Sequence, residues 1–222
     1  MTTEAAEFAR ARSRIYALLA AAFDGDVDAL AAALDEGAFE RLAGLLPGDV
    51  DTTPLARSDV DREALQVGYD NLFAVPGPHY VPPFASAHAV EPSAEAFESD
   101  SRYHDEGEAG ELFGEPAAHA ATFYDRFGFR PERGDGIPDH LAAELEFVSA
   151  LAEREAELRE GDVEDADVTA DDLRAMQETF LDQYLVWVDA FAAKVADTDR
   201  AEGLFAALAA FTRAFVAWDR GN

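Results

Sequence analysis

Apolar residues recur at helical spacing along almost the whole chain. Between residues 3 and 23, Phe8, Ile15, Leu18, Leu19, Ala22 and Phe23 fall mostly on one face, and alanine fills much of the rest. Asp24-Gly25-Asp26 ends that helix and caps the next. Residues 27–34 and 38–46 read as two short helices, divided near Gly37 and closed by Pro47-Gly48. Residues 49–54 form a loop, and Ser58 starts a helix that passes through Leu65 to Phe73.

Residues 74–92 cannot form a regular helix. Pro76, Pro78, Pro82, Pro83 and Pro92 remove amide donors and force the residues before them into extended conformations. Tyr80 and Phe84 are interleaved with these prolines, so the expectation is an ordered loop packed over the helices. A short helix is expected over 93–103 and a longer one over 105–127, with Gly128 as its C-cap.

The stretch 128–136 holds Pro131 and Gly134 without an apolar period, which predicts a hinge. Pro138 then sits near the start of a helix that runs to about residue 160 and carries Leu141, Leu145, Val148 and Ala152 on one side. Residues 161–167 are an acidic loop, and Thr169 can cap the next helix. That helix is expected to be continuous from 171 to about 196. Its two stripes are Leu173, Met176, Phe180, Tyr184, Trp187 and Phe191, then Leu181, Leu185, Val188 and Ala192. A last helix over 200–218 brings Leu204, Leu208, Phe211 and Phe215 to meet it. No strand alternation and no repeat is evident. The expected fold is therefore all-α: one bundle of about eight to ten helices in two lobes, 1–128 and 138–222, joined by a hinge over 129–137.

Composition sharpens this. The 222 residues carry 46 Asp+Glu against 17 Lys+Arg, a formal net charge of -29. The acids are spread along the chain, which points to adaptation of the whole surface to a salt-rich cytoplasm. Such a surface opposes nucleic acid and anionic membranes. The absence of cysteine excludes disulfides and thiolate chemistry. The acidic N-terminal residues do not resemble a secretory signal, and no apolar run is long enough to span a bilayer, so the expected location is the cytoplasm.

The densest chemistry lies at Pro138-Asp139-His140-Leu141 and at Tyr69 to Phe84. His140 and Glu144 are i,i+4 neighbours whose side chains are expected to meet, Asp139 is placed to cap the helix, and Trp187 is assigned to the core. A zinc or iron site would need a third ligand, and the chain has no paired Glu-x-x-His motif. Phosphate-binding loops, dinucleotide fingerprints and nucleophile elbows are missing too. A metal-dependent helical enzyme using His140 and Glu144 is the alternative reading. A helical adaptor for another assembly is the third.

Tyr69-x-x-Leu72-Phe73 followed by Pro76-Gly77-Pro78 resembles a signature of the TorD/DmsD/NarJ family of molybdoenzyme maturation chaperones. Pro138-Asp139-His140-Leu141 with Glu144-Leu145-x-Phe147 resembles that family's Glu-Pro-x-Asp-His-Leu…Glu-Leu-x-Phe element. Tyr124-x-x-Phe127-Gly128 and the run from Phe180 through Tyr184, Leu185 and Trp187 to Phe191 are similar to its flanking helices. Two departures stand out: Gly136-Ile137 replaces the acid before the Pro-Asp-His unit, and Tyr184 stands where histidine is common.

The resemblance implies a TorD-like, non-enzymatic cytoplasmic chaperone. Its partners would be the apo catalytic subunit of a DMSO-reductase-type enzyme and that subunit's twin-arginine leader. It would hold the client until the molybdenum cofactor is inserted. No resident cofactor or metal is expected, beyond a transient contact with a guanine nucleotide or molybdopterin guanine dinucleotide. A monomer is expected, with a lobe-swapped dimer as the variant state. The implied contact residues are Asp139 and His140, oriented by Glu144, beside a wall of Tyr69, Phe73, Pro76, Gly77, Pro78, Tyr80 and Phe84.

Overall fold

A computed structural model describes residues 2–44, 46–47, 50–88, 114–161, 168–199 and 203–221. The helix expected over 93–103, the start of the one expected over 105–127 and most of the acidic loop 161–167 lie outside them. The described residues form ten α-helices: α1 (Thr2–Phe23), α2 (Val27–Asp35), α3 (Ala38–Ala43), α4 (Arg62–Tyr69), α5 (Ala85–His88), α6 (Glu115–Arg126), α7 (Leu141–Glu160), α8 (Ala170–Tyr184), α9 (Val188–Thr198) and α10 (Leu204–Arg220). Among the described residues there is no strand beyond a single bridge, and no helix is long and apolar enough to cross a membrane. The chain is an all-α bundle, as its pattern predicts.

The bundle is built around α1 lying along α7. Small side chains let the two helices approach closely: Ala6, Ala9 and Ala20 on α1, Ala152 and Ala156 on α7, all buried. The Ser149 hydroxyl donates to the Ser13 carbonyl at 2.9 Å across the contact. Helix α8 packs on α7, and α10 on α8 and α9. Two aromatic clusters fill the interior. One joins Phe23, Tyr69, Phe73, Phe191 and Phe205; the other joins Phe123, Tyr124, Phe147, Phe180 and Tyr184.

Four expectations need correction. The buried stripe of α1 runs through Ala9, Arg12, Tyr16, Leu19 and Phe23; of the expected face Leu19, Ala22 and Phe23 are buried, whereas Ile15 and Leu18 are only partly so. Phe8 is 42% exposed; its ring meets Trp218 edge-on and lies under the Arg12 guanidinium, 5.3 Å from the ring centroid. The true stripe contains an arginine, and that hid it. Arg12 is buried and donates to Asp219 (3.2 Å), Gln177 (2.9 Å) and Glu155, while the Tyr16 hydroxyl donates to Asp219 (2.8 Å). The network ties α1, α7, α8 and α10 together.

The helix expected over 171–196 is broken at Leu185-Val186-Trp187. No proline or glycine forces the break. It buries Leu185 and Trp187 together, leaves Val186 half exposed and gives the Trp187 indole a partner on α7. The helix expected from Ser58 to Phe73 starts instead at Arg62. Asp61 is the cap, accepting from Glu63 and Ala64, and a π-type turn follows over Asp70–Ala74, where the Val75 amide donates to Asp70 at 2.8 Å. Finally, the proline-rich segment contains one helical turn, α5, in its proline-free part between Pro83 and Pro92.

Candidate functional site

The two chemistry-bearing segments, far apart in sequence, are hydrogen-bonded to each other. Phe84 and His140 form an antiparallel bridge, with the Ala85 amide donating to Asp139 and the Leu141 amide to Pro83, both at 2.9 Å. Pro83 has no amide to donate, so its carbonyl carries that end of the pairing. The Phe84 and His140 rings meet edge to face, their centroids 5.0 Å apart.

Asp139 is fully buried. One carboxylate oxygen accepts from the Ser86 amide at 3.0 Å, which caps α5; Oδ1 has no partner among the described residues. The cap of α7 is His140, not Asp139: its Nδ1 accepts from the Ala142 amide at 3.1 Å. Nδ1 must therefore carry no proton. Burial agrees, pushing the His140 pKa down from 6.5 to about 4 against the opposing pull of Asp24, Asp135 and Asp139.

The His140–Glu144 pairing expected from the spacing is not made. His140 lies outside the helix with extended backbone angles, so the i,i+4 geometry does not apply to it. Glu144 instead accepts from the Trp187 indole at 2.9 Å. Its carboxyl is fully buried, and burial holds its pKa well above the usual range; the Trp187 hydrogen bond opposes that rise and the Asp139 charge adds to it. Trp187 in turn stacks on His88 at 5.5 Å.

The expected wall divides. Tyr69 and Phe73 belong to the aromatic core, and the Tyr69 hydroxyl donates to the Phe23 carbonyl at 2.9 Å. Pro76, Gly77 and Pro78 are exposed, together with Val75, while Tyr80 and Phe84 are half-buried. Next to them the segment 132–136 passes over His140. Gly134 lies so close that a Cβ there would sit 2.6 Å from the His140 side chain. A groove of about 500 Å³ opens between α1, α7 and residues 129–133; none of the expected site residues lines it. No group of three or more His, Asp or Glu side chains that could hold a metal occurs among the described residues.

Sequence reasoning missed three contributors: Asp24, Ser86 and the glycine at 134. The crowded Gly134-Asp135-Gly136 was the available signal, because paired glycines mark backbone that other residues cannot adopt.

Comparison with protein families decides the identity. A family model described as the nitrate reductase delta subunit matches residues 18–193, well over half of the chain and including both segments above. The chain belongs to this family. No curated protein and no solved structure matches it. The delta-subunit family is one of maturation chaperones of the NarJ/TorD type and not of catalytic subunits, so the general role is that of a chaperone for a nitrate-reductase-type enzyme.

Proposed function

We propose that this delta-subunit chaperone binds the apo catalytic subunit of a molybdenum oxidoreductase in the cytoplasm, recognises its twin-arginine leader and keeps it from export until the cofactor is in place. The bridge between Phe84 and His140 carries this reading. It draws the two family-bearing segments into one surface, and beside that surface stands an exposed, proline-stiffened loop, Val75-Pro76-Gly77-Pro78. A loop held this rigid loses little entropy when a chain docks on it. A leader has a cationic end and an apolar stretch; the chain's net charge of -29 and the half-buried rings of Tyr80 and Phe84 complement both. Asp139, His140 and Glu144 serve this surface from beneath, by fixing α5 and the start of α7. The uniform acidity fits a protein that works in a salt-rich cytoplasm.

Calorimetric titration of a twin-arginine leader peptide at molar KCl tests the proposal. Wild type should bind, and replacing Tyr80 and Pro78 by alanine should weaken binding about tenfold, since one interfacial aromatic carries roughly 1–2 kcal/mol. Equal affinity of folded wild type and variant would remove the loop from the site.

A further inference from the structure

Residues 132–136 lack regular helix beyond a single 3₁₀ turn, yet they cover the most chemically loaded point of the fold. Gly134, Asp135 and Gly136 have φ of 64°, 53° and 72°, three consecutive left-handed residues of which only two are glycine. A run of this kind does not hold itself in place; its surroundings must over-determine it. The restraint comes from two carboxylates on the flanking helical elements. Asp24, just past the end of α1, accepts from the Gly134 amide at 2.7 Å and from the Arg133 guanidinium at 3.1 Å. Glu146, on α7, accepts from the Glu132 and Arg133 amides at 3.0 and 3.1 Å. Both Asp24 and Arg133 are partly solvent-exposed, so the latch sits where an arriving chain can compete for it.

Beneath this strap His140 is only 7% exposed, and the neighbouring Asp139 is 0% exposed, with one carboxylate oxygen unpartnered among the described residues. On its flank the groove of about 500 Å³ runs between α1 and α7, and strap residues Glu132 and Arg133 form part of its wall. The His140 side chain thus has both the Phe84 ring and the Gly134 backbone against it.

We infer that residues 132–136 are a latched lid: Asp24 and Glu146 hold it shut over His140, and a client chain docks by releasing it. Arg133 occupies Asp24 in the closed state, so a guanidinium of the incoming chain can take its place with no net change in charge pairing. Lifting the strap merges the flanking groove with the Phe84–His140 surface into one longer cleft. The inference rests on the chaperone reading for the identity of the occupant, but the lid itself is testable without a client.

Diethyl pyrocarbonate modification, read by peptide mass spectrometry, reports whether each histidine is covered. In wild type, exposed His79 should react at least about tenfold faster than His140. Asp24→Ala with Glu146→Ala should raise the His140 rate severalfold and leave half-buried His88 unchanged. Gly134→Ala, which sets a methyl group against the His140 ring, should do the same by a different route. Glu146→Ala alone, which loosens the latch but leaves Asp24 for the incoming guanidinium, should bind the apo catalytic subunit of the host nitrate reductase about tenfold more tightly than wild type, because less of the population is closed. His140 rates unchanged in both folded variants would overturn the lid. Raised rates with unchanged affinity, where wild type binds the client, would overturn its gating role and leave the chaperone reading standing. Failure of wild type and variant alike to bind would strike the chaperone reading, with the modification rates still deciding whether the strap opens.

Discussion

Two buried titratable groups near the start of α7 pull stability in opposite directions with pH. Folded His140 titrates near 4, below its ordinary 6.5. Between those values the unfolded chain takes up a proton that the folded chain refuses. Its contribution is therefore complete above pH 6.5 and is lost as pH falls towards 4. Glu144 has the opposite sign: burial raises its pKa above 4.5, so the unfolded chain sheds a proton first, and stability falls as pH rises beyond 4.5. Glu144→Gln keeps an oxygen for the Trp187 indole but removes the ionisation. Urea unfolding should show the variant more resistant than wild type at pH 8 and no better at pH 4. A variant without advantage at pH 8 would mean that the buried carboxyl ionises at no cost. Trp187 was legible as a core residue from its stripe. The partnership with Glu144 was not, because it depends on a helix break that local sequence does not announce.

At the scale of elements, the Arg12 network decides how four helices sit together. Arg12 faces Glu155 and Asp219, which are further contacted by Arg159 and Arg174. Burial lifts the Asp219 pKa while Arg12 and the Tyr16 hydroxyl pull it back. Removing the central cation leaves two buried carboxylates undercompensated. Arg12→Ala should lower stability by ~3 kcal/mol in denaturant titration, the usual cost of breaking a buried ion pair from one side. A loss below about 0.5 kcal/mol would show that Arg159 and Arg174 suffice. The helices themselves were legible from apolar period and caps: the Asp26 cap of α2 and the Thr169 cap of α8 stand where the sequence put them. What escaped was polar residues doing core work. Arg12 sits at i+3 from Ala9 and i−4 from Tyr16, on the stripe itself, but a rule that counts only apolar residues rotates α1 towards Phe8. Similarly, the Phe84–His140 bridge joins residues 56 apart in number, and no local signal encodes such a pairing.

At the scale of the molecule, the proposed adaptation to salt holds that a net charge of -29 on 222 residues is screened so that the bundle stays closed. Molar salt shortens the Debye length from about 8 Å to about 3 Å. The thermal midpoint, followed by helical circular dichroism, should rise steeply between dilute buffer and 2 M KCl; an unchanged midpoint would refute adaptation to salt. The family role makes a sharper demand, since a maturation chaperone must tell an unfinished client from a finished one. The most direct test is therefore titration of this protein, at molar KCl, with the catalytic subunit of the cognate molybdenum reductase in its apo and cofactor-loaded forms. The account predicts a tight stoichiometric complex with the apo subunit and at least about a hundredfold weaker binding to the loaded one. Equal affinity for both forms, or no complex with either, would contradict it.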